Sequence, residues 1–99
     1  MAQFDVYARR NGPGYVLDCQ SNVLERLNTR FVVPLLPVGS APGALGHLNP
    51  VFEIQGASFV LMPQNAATVP IRELVATVTS LEAQRYAVLN ALDVLITGY

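Results

Sequence analysis

The chain has 99 residues, 52% of them hydrophobic and only 13% charged, with a net charge of −1, no tryptophan and one cysteine. Lysine is absent, which argues against affinity built on phosphate neutralisation or on an anionic membrane surface. The lone Cys19 excludes an internal disulfide framework and suits a reducing cytosol. The length predicts one domain, residues 1–99, burying roughly 60–65% of its unfolded surface. So much apolar surface on so small a sphere predicts that part of it meets a partner, and a homodimer is the simplest expectation.

The opening MAQFDVYARR lacks a charged region followed by an apolar core, so no signal peptide is expected. No window holds enough uninterrupted apolar residues to span a membrane. QFDVYA alternates, with Phe4, Val6 and Ala8 on one face and Gln3, Asp5 and Tyr7 on the other, which predicts a half-buried strand. RRNGPG is a turn. YVLDCQ predicts a second strand, with Tyr15, Leu17 and Cys19 on one face and Val16, Asp18 and Gln20 on the other, paired with the first as a hairpin.

SNVLERLNT reads as a turn or short helical turn carrying Val23, Leu24 and Leu27. RFVVPLL predicts a strand, in which Pro34 implies an edge or a bulge because it has no N–H for a central ladder. Residues 37–50 carry Pro37, Pro42, Pro50, Gly39, Gly43 and Gly46 with no surviving period, and read as a long loop of the functional or mobile kind. VFEIQ and SFVLM predict a hairpin turning at Gly56–Ala57, and ATVPIREL a last short strand.

The final segment predicts a helix. Thr79 and Glu82 fit a capping box. Leu81, Val88, Leu92, Leu95 and Tyr99 recur at helical spacing and lay one stripe along about four turns. Alanines raise the helix propensity, and Gly98 suits the position after the last turn. The apolar run then ends on an aromatic, Tyr99, with no polar tail.

Side-chain chemistry is sparse. His47 is the only histidine and sits in the Gly/Pro-rich loop, so neither a metal site nor a bound cofactor is expected. Cys19 on a strand face reads as an inert buried thiol. No nucleophile elbow, P-loop or dinucleotide fingerprint is present, and the carboxylates are scattered. Arg9 and Arg10 read as a solvated turn tip, and Glu53, between Phe52 and Ile54, as solvent-facing.

Five stretches, QFDVY (3–7), DCQSNVL (18–24), RFVVPL (30–35), ATVP (67–70) and NALDVLITGY (90–99), together resemble the CcdB family of toxins from toxin–antitoxin pairs. The middle loop matches poorly. The resemblance implies a mainly β fold with a C-terminal α-helix: an SH3-like small barrel or curved antiparallel sheet, of the CcdB/MazF type, paired as a homodimer. It implies a cytoplasmic protein that is not an enzyme. Such a toxin binds the GyrA subunit of DNA gyrase, traps the gyrase–DNA cleavage complex, and meets DNA only indirectly. It implies a cognate antitoxin whose disordered C-terminal segment wraps the toxin and uses it as a co-repressor.

Carried over position by position, the gyrase-facing set is Val23, Leu24, Asp93, Ile96, Thr97, Gly98 and Tyr99. Thr97 stands where the family has tryptophan, Asp93 where it has asparagine, and Tyr99 where it has an aliphatic residue. A central interface tryptophan contributes about 2–4 kcal/mol, which is thirtyfold to a thousandfold in affinity. Tyr99 can replace the lost ring, or the terminus has lost or retuned its poisoning activity. The competing role for Leu92, Leu95 and Ile96 is to pack the helix onto the sheet or onto a dimer mate. Two other functions compete: an mRNA endoribonuclease of the MazF type, which the charge balance disfavours, and a non-poisoning homologue that only binds its antitoxin.

Overall fold

The computed structural model describes residues 2–41 and 45–98. It is mostly β, a curled antiparallel half-barrel closed by one C-terminal helix, as the resemblance implied. The strands are β1 (Asp5–Ala8), β2 (Tyr15–Asp18), β3 (Thr29–Pro37), β4 (Val51–Ile54), β5 (Ala57–Leu61), β6 (Ala67–Pro70) and β7 (Thr77–Ser80), and the helix α1 spans Arg85–Thr97. The sheet runs β4-β5-β3-β2-β1-β7, with β6 paired to β3 off that path.

The curl originates in β3. One edge of this strand pairs throughout with β2, from Tyr15 against Leu35 to Asp18 against Val32. The other edge is shared: β6 takes Thr29–Val32 and β5 takes Leu35–Pro37. Pro34 sits where the two partners part. Its carbonyl accepts from the Met62 N–H (2.9 Å), on the side where an ordinary residue would also present its own N–H. The missing donor thus falls in the gap between β6 and β5. The expected edge or bulge is replaced by a fork in a central strand, which meets the same donor restriction.

Alternation then sorts the two faces. Val6, Leu17, Val33 and Leu35 point into the main core with Phe4, Phe52, Ile54, Phe59 and Leu61, beneath Val88 and Ala91 of α1. The opposite face is also covered: Tyr7 and Val32 pack with Leu74, Val16 and Val69. The first strand is therefore buried on both sides at Val6–Tyr7, where one solvated face was expected. Phe4 departs from the expected strand altogether. It adopts a left-handed backbone (φ 71°) just before β1, and its ring is fully buried in the core. Such a conformation costs about 1–3 kcal/mol for a non-glycine residue, offset here by complete burial of an aromatic.

The remaining departures are local. The β4–β5 turn is centred on Gln55 and Gly56, both left-handed (φ 51° and 82°), one residue before the expected pair. This two-residue geometry matches the twist of the flanking strands. Strand β6 takes only the first four residues of the expected ATVPIREL, whose Ile71–Glu73 forms a 3-10 turn instead, whereas β7 was not expected. Its TVTS sequence lies against β1, with Val6 opposite Thr79, so Thr79 is a strand residue and not a helix cap. The Ser80 hydroxyl instead accepts from the Glu82 N–H (3.1 Å), and a 3-10 turn over Glu82–Gln84 leads into α1. Part of the expected long loop is strongly held. Asn49 is buried, donates to the Leu61 carbonyl and Gln64 Oε1 (both 2.9 Å), and accepts from the Leu45 N–H (2.9 Å). Residues 42–44 of that loop lie outside the described residues.

Gly14, where the first turn re-enters β2, has no room for a side chain. A Cβ there would lie 2.3 Å from the Leu35 carbonyl oxygen, and its φ is +100°. Gly14→Ala is expected to destabilise the fold by about 1–3 kcal/mol, read as a lower urea midpoint with an unchanged slope. An unchanged midpoint would mean that the β1–β2 turn adjusts freely.

Candidate functional site

The helix presents two faces. Val88 and Ala91 are fully buried, and Leu89 and Leu92 pack partly against the core. The expected stripe therefore holds through Leu92 and turns outward at Leu95, which is 42% exposed; Ile96, outside that stripe, is 77% exposed. Packing on the sheet accounts for Leu92 and does not account for Ile96. Asp93, Ile96, Thr97 and Gly98 form one exposed group at the helix end, since residues three and four apart share a face.

The helix end is well formed. The Gly98 N–H donates to the Val94 carbonyl (3.0 Å) with φ 83°, the left-handed cap expected of this glycine. The Thr97 hydroxyl donates to the Asp93 carbonyl (2.7 Å), a side-chain back-bond onto the preceding turn. Asp93 is a poor choice for the helix itself. Its negative charge lies near the negative end of the helix dipole, and the last turn carries no basic residue to offset it. Tyr99, the expected aromatic anchor, lies outside the described residues.

Val23 and Leu24 sit elsewhere, on a 3-10 turn over Asn22–Leu24. Hydrogen bonds staple this turn on three sides. The Val23 N–H donates to Ser21 Oγ (3.2 Å), the Gln3 N–H to Asn22 Oδ1 (2.8 Å), and Gln20 Nε2 to the Leu24 carbonyl (3.1 Å). The backbone is thereby held so that Val23 is 88% exposed, and Leu24 and Leu27 are about half exposed. The turn and the helix share no extensive packing, so within one chain the expected set divides into two exposed groups.

Two features escaped the sequence reading. Asp18 and Arg30, diagonal neighbours on β2 and β3, form a buried ion pair (Nε–Oδ2 2.9 Å) with essentially no exposure. Their period-2 positions marked a strand face, but nothing in the sequence marked that face as covered. Next to it, the second face of the sheet bears an open groove of about 250 Å³, lined among others by Arg9, Arg10, Asn11, Val32, Glu73 and Leu74. The arginines of the expected solvated tip thus border a concavity.

The other chemical candidates stand as their environments dictate. His47 is exposed. Among the described residues no three His, Cys, Asp or Glu side chains gather to hold a metal ion. Burial, helped by the Asp18 carboxylate, pushes the Cys19 thiol up to about 12 from 9.0. A thiol this hard to ionise is a poor nucleophile. In the native protein Cys19 is expected to resist alkylation at mildly alkaline pH and to react on unfolding. The unfolded thiol ionises first as pH rises, so the stability contributed by neutral Cys19 is full below pH 9.0 and declines between 9.0 and about 12. Urea midpoints of wild type and Cys19→Ala across that window would test this, and parallel curves would refute it.

The curled sheet and the capping helix define a small β domain with aliphatic residues held outward. The family model described as CcdB protein matches residues 3–98, and the chain belongs to the CcdB family, the toxins of toxin–antitoxin pairs. A comparison with curated proteins finds no significant match. No helix among the described residues is long and apolar enough to cross a membrane.

Proposed function

We propose that this toxin acts on DNA gyrase: as a homodimer it binds the GyrA subunit of that enzyme and traps the gyrase–DNA cleavage complex, through binding alone and with no bond-making centre or cofactor of its own. Its contact set is Val23, Leu24, Asp93, Ile96, Thr97, Gly98 and Tyr99. A cognate antitoxin with a disordered C-terminal segment neutralises it and recruits it as co-repressor, and the site of action is the cytoplasm, where gyrase works. One observation supports this reading above the rest. Val23 and Ile96, with 88% and 77% of their surface exposed, are held outward by capped, hydrogen-bonded elements where the chain gains nothing from them. Rigid, exposed aliphatic residues bind a partner without a large ordering cost.

The proposed homodimer matches this division of the contact set. Two copies bring two exposed turns and two helix ends to one particle, and a symmetric partner can engage both. Thr97 in place of tryptophan weakens the central contact, and its hydroxyl is committed to the Asp93 carbonyl. The remaining apolar contact then falls to Ile96 and Tyr99.

The test adds purified protein to gyrase, supercoiled DNA and ATP, beside a parallel reaction containing only RNA. Stabilised double-strand DNA breaks support the proposal. Cleaved RNA refutes it and assigns the chain to RNA cleavage, for which the groove holding Arg9, Arg10 and Glu73 would be the place to look. Inertness in both, with tight antitoxin binding, leaves an antitoxin-binding module.

A further inference from the structure

We propose that Asn11, at the tip between β1 and β2, is a site of spontaneous covalent modification in which its side-chain amide is converted to a carboxylate. The chain has six asparagines, at positions 11, 22, 28, 49, 65 and 90, and Asn11 alone precedes a glycine. The conversion needs the next residue's backbone nitrogen to reach the asparagine Cγ, so a side chain on that residue obstructs it. Gly12 carries none, and the space where a Cβ would stand is open to 4 Å.

The reacting groups of the tip are also unengaged. Asn11 and Gly12 are exposed, and among the described residues neither the Gly12 N–H nor the Asn11 amide makes a hydrogen bond within the protein. Other asparagines are restrained. Asn49 is buried with both side-chain atoms engaged, Asn22 accepts from the Gln3 N–H, and Asn90 is inside α1. The tip lies beyond the last backbone link of the hairpin, the Arg9 N–H to the Gly14 carbonyl (3.3 Å). The chemistry can therefore proceed without opening the sheet.

The Gly12 nitrogen, having lost its proton to base, forms a bond to Asn11 Cγ. The Cγ–Nδ2 bond breaks and ammonia leaves, giving a five-membered imide. Water then opens either C–N bond of the ring, producing aspartate or isoaspartate. The net change is one water consumed, one ammonia released and one added negative charge, taking the chain from −1 to −2. That charge lands on the rim of the groove, beside Arg9 and Arg10. Arg9 Nη1 now donates to the Pro13 carbonyl (3.0 Å), and the new carboxylate competes for it. The groove of an aged molecule thus differs in charge from that of a fresh one, while the core beneath is unchanged.

The test incubates the purified full-length chain at neutral and mildly alkaline pH, with peptide mass spectrometry and isoelectric focusing at intervals. The mass change of amide to acid is expected at Asn11 first, an order of magnitude faster than at exposed Asn22, Asn28 or Asn65, and faster at the higher pH. The one-charge acidic shift is expected to vanish in Asn11→Gln, which changes only an exposed side chain, with circular dichroism unaltered. Conversion at Asn11 no faster than at those three, or an undiminished acidic shift in Asn11→Gln, would overturn the proposal.

Discussion

Asp18→Ala is expected to destabilise the fold by about 3–5 kcal/mol, a large share of the ~5–15 kcal/mol available to a domain of this size. Asp18 and Arg30 are 0% and 1% exposed, and their contact is a single 2.9 Å bond through Nε. Arg30 Nη2 is buried with no hydrogen-bond partner among the described residues. Arg30 is therefore already incompletely satisfied, and removing Asp18 leaves a buried cation without its counter-charge. The loss comes from that stranded charge and not from a high net value of the pair. Replacing both residues with apolar ones of similar volume, Asp18→Leu with Arg30→Met, is expected to be nearly neutral or stabilising. Urea unfolding of the single and double variants at one protein concentration separates the cases, because the stability of the proposed homodimer would depend on concentration. A single variant within experimental error of wild type would show that the Arg30 charge finds another partner.

Ile96→Asp is expected to weaken binding to the gyrase GyrA subunit by thirtyfold to a thousandfold, about 2–4 kcal/mol, with little change in the urea midpoint. The side chain is largely exposed, so the folded chain loses little by the change. A carboxylate would have to be desolvated in the complex, at a cost that an exposed surface does not impose. It would also stand beside Asp93 at the negative end of the helix dipole, which raises that cost further. Removing residues 97–99 should abolish binding in the same way, while leaving the dimer and the antitoxin affinity intact. Sedimentation of the variants decides between roles: if Ile96→Asp yields monomers, the residue belongs to the dimer contact and the gyrase assignment at this position fails. Undiminished gyrase poisoning by the truncated chain would remove the terminus from the contact set.

Much of the architecture was legible because it follows from periodicity and punctuation. β2, β3, β6, the β4–β5 hairpin and the body of α1 were all readable from alternation, β-branched runs and glycine or proline signals. Where the reading failed, a local signal was outvoted by pairing. Thr79 and Glu82 satisfy the spacing of a capping box, but Thr79 was claimed by the β1 edge and became strand. Pro34 correctly announced a missing donor, while the form it took, a fork between two partner strands, depends on residues more than twenty positions away. Phe4 read as strand because its hydrophobicity fits the alternation, and only the core beneath it explains its left-handed backbone.

The candidate site was legible in a different way. The family pattern picked out Val23, Leu24 and the helix end by position, and it could not tell whether those side chains are buried. Exposure is a property of the packed molecule: Val88 and Ile96 are both β-branched aliphatics on one helix, and rotation about its axis hides one and exposes the other.

Local pattern and order along the chain were enough to define the mainly β fold with its terminal helix and the family. The covered face of each strand, the meeting of Asp18 with Arg30, and the choice of which aliphatic residues stay outside emerged only in the folded molecule. Those outcomes depend on contacts between distant segments, whose free energy no local window of residues contains.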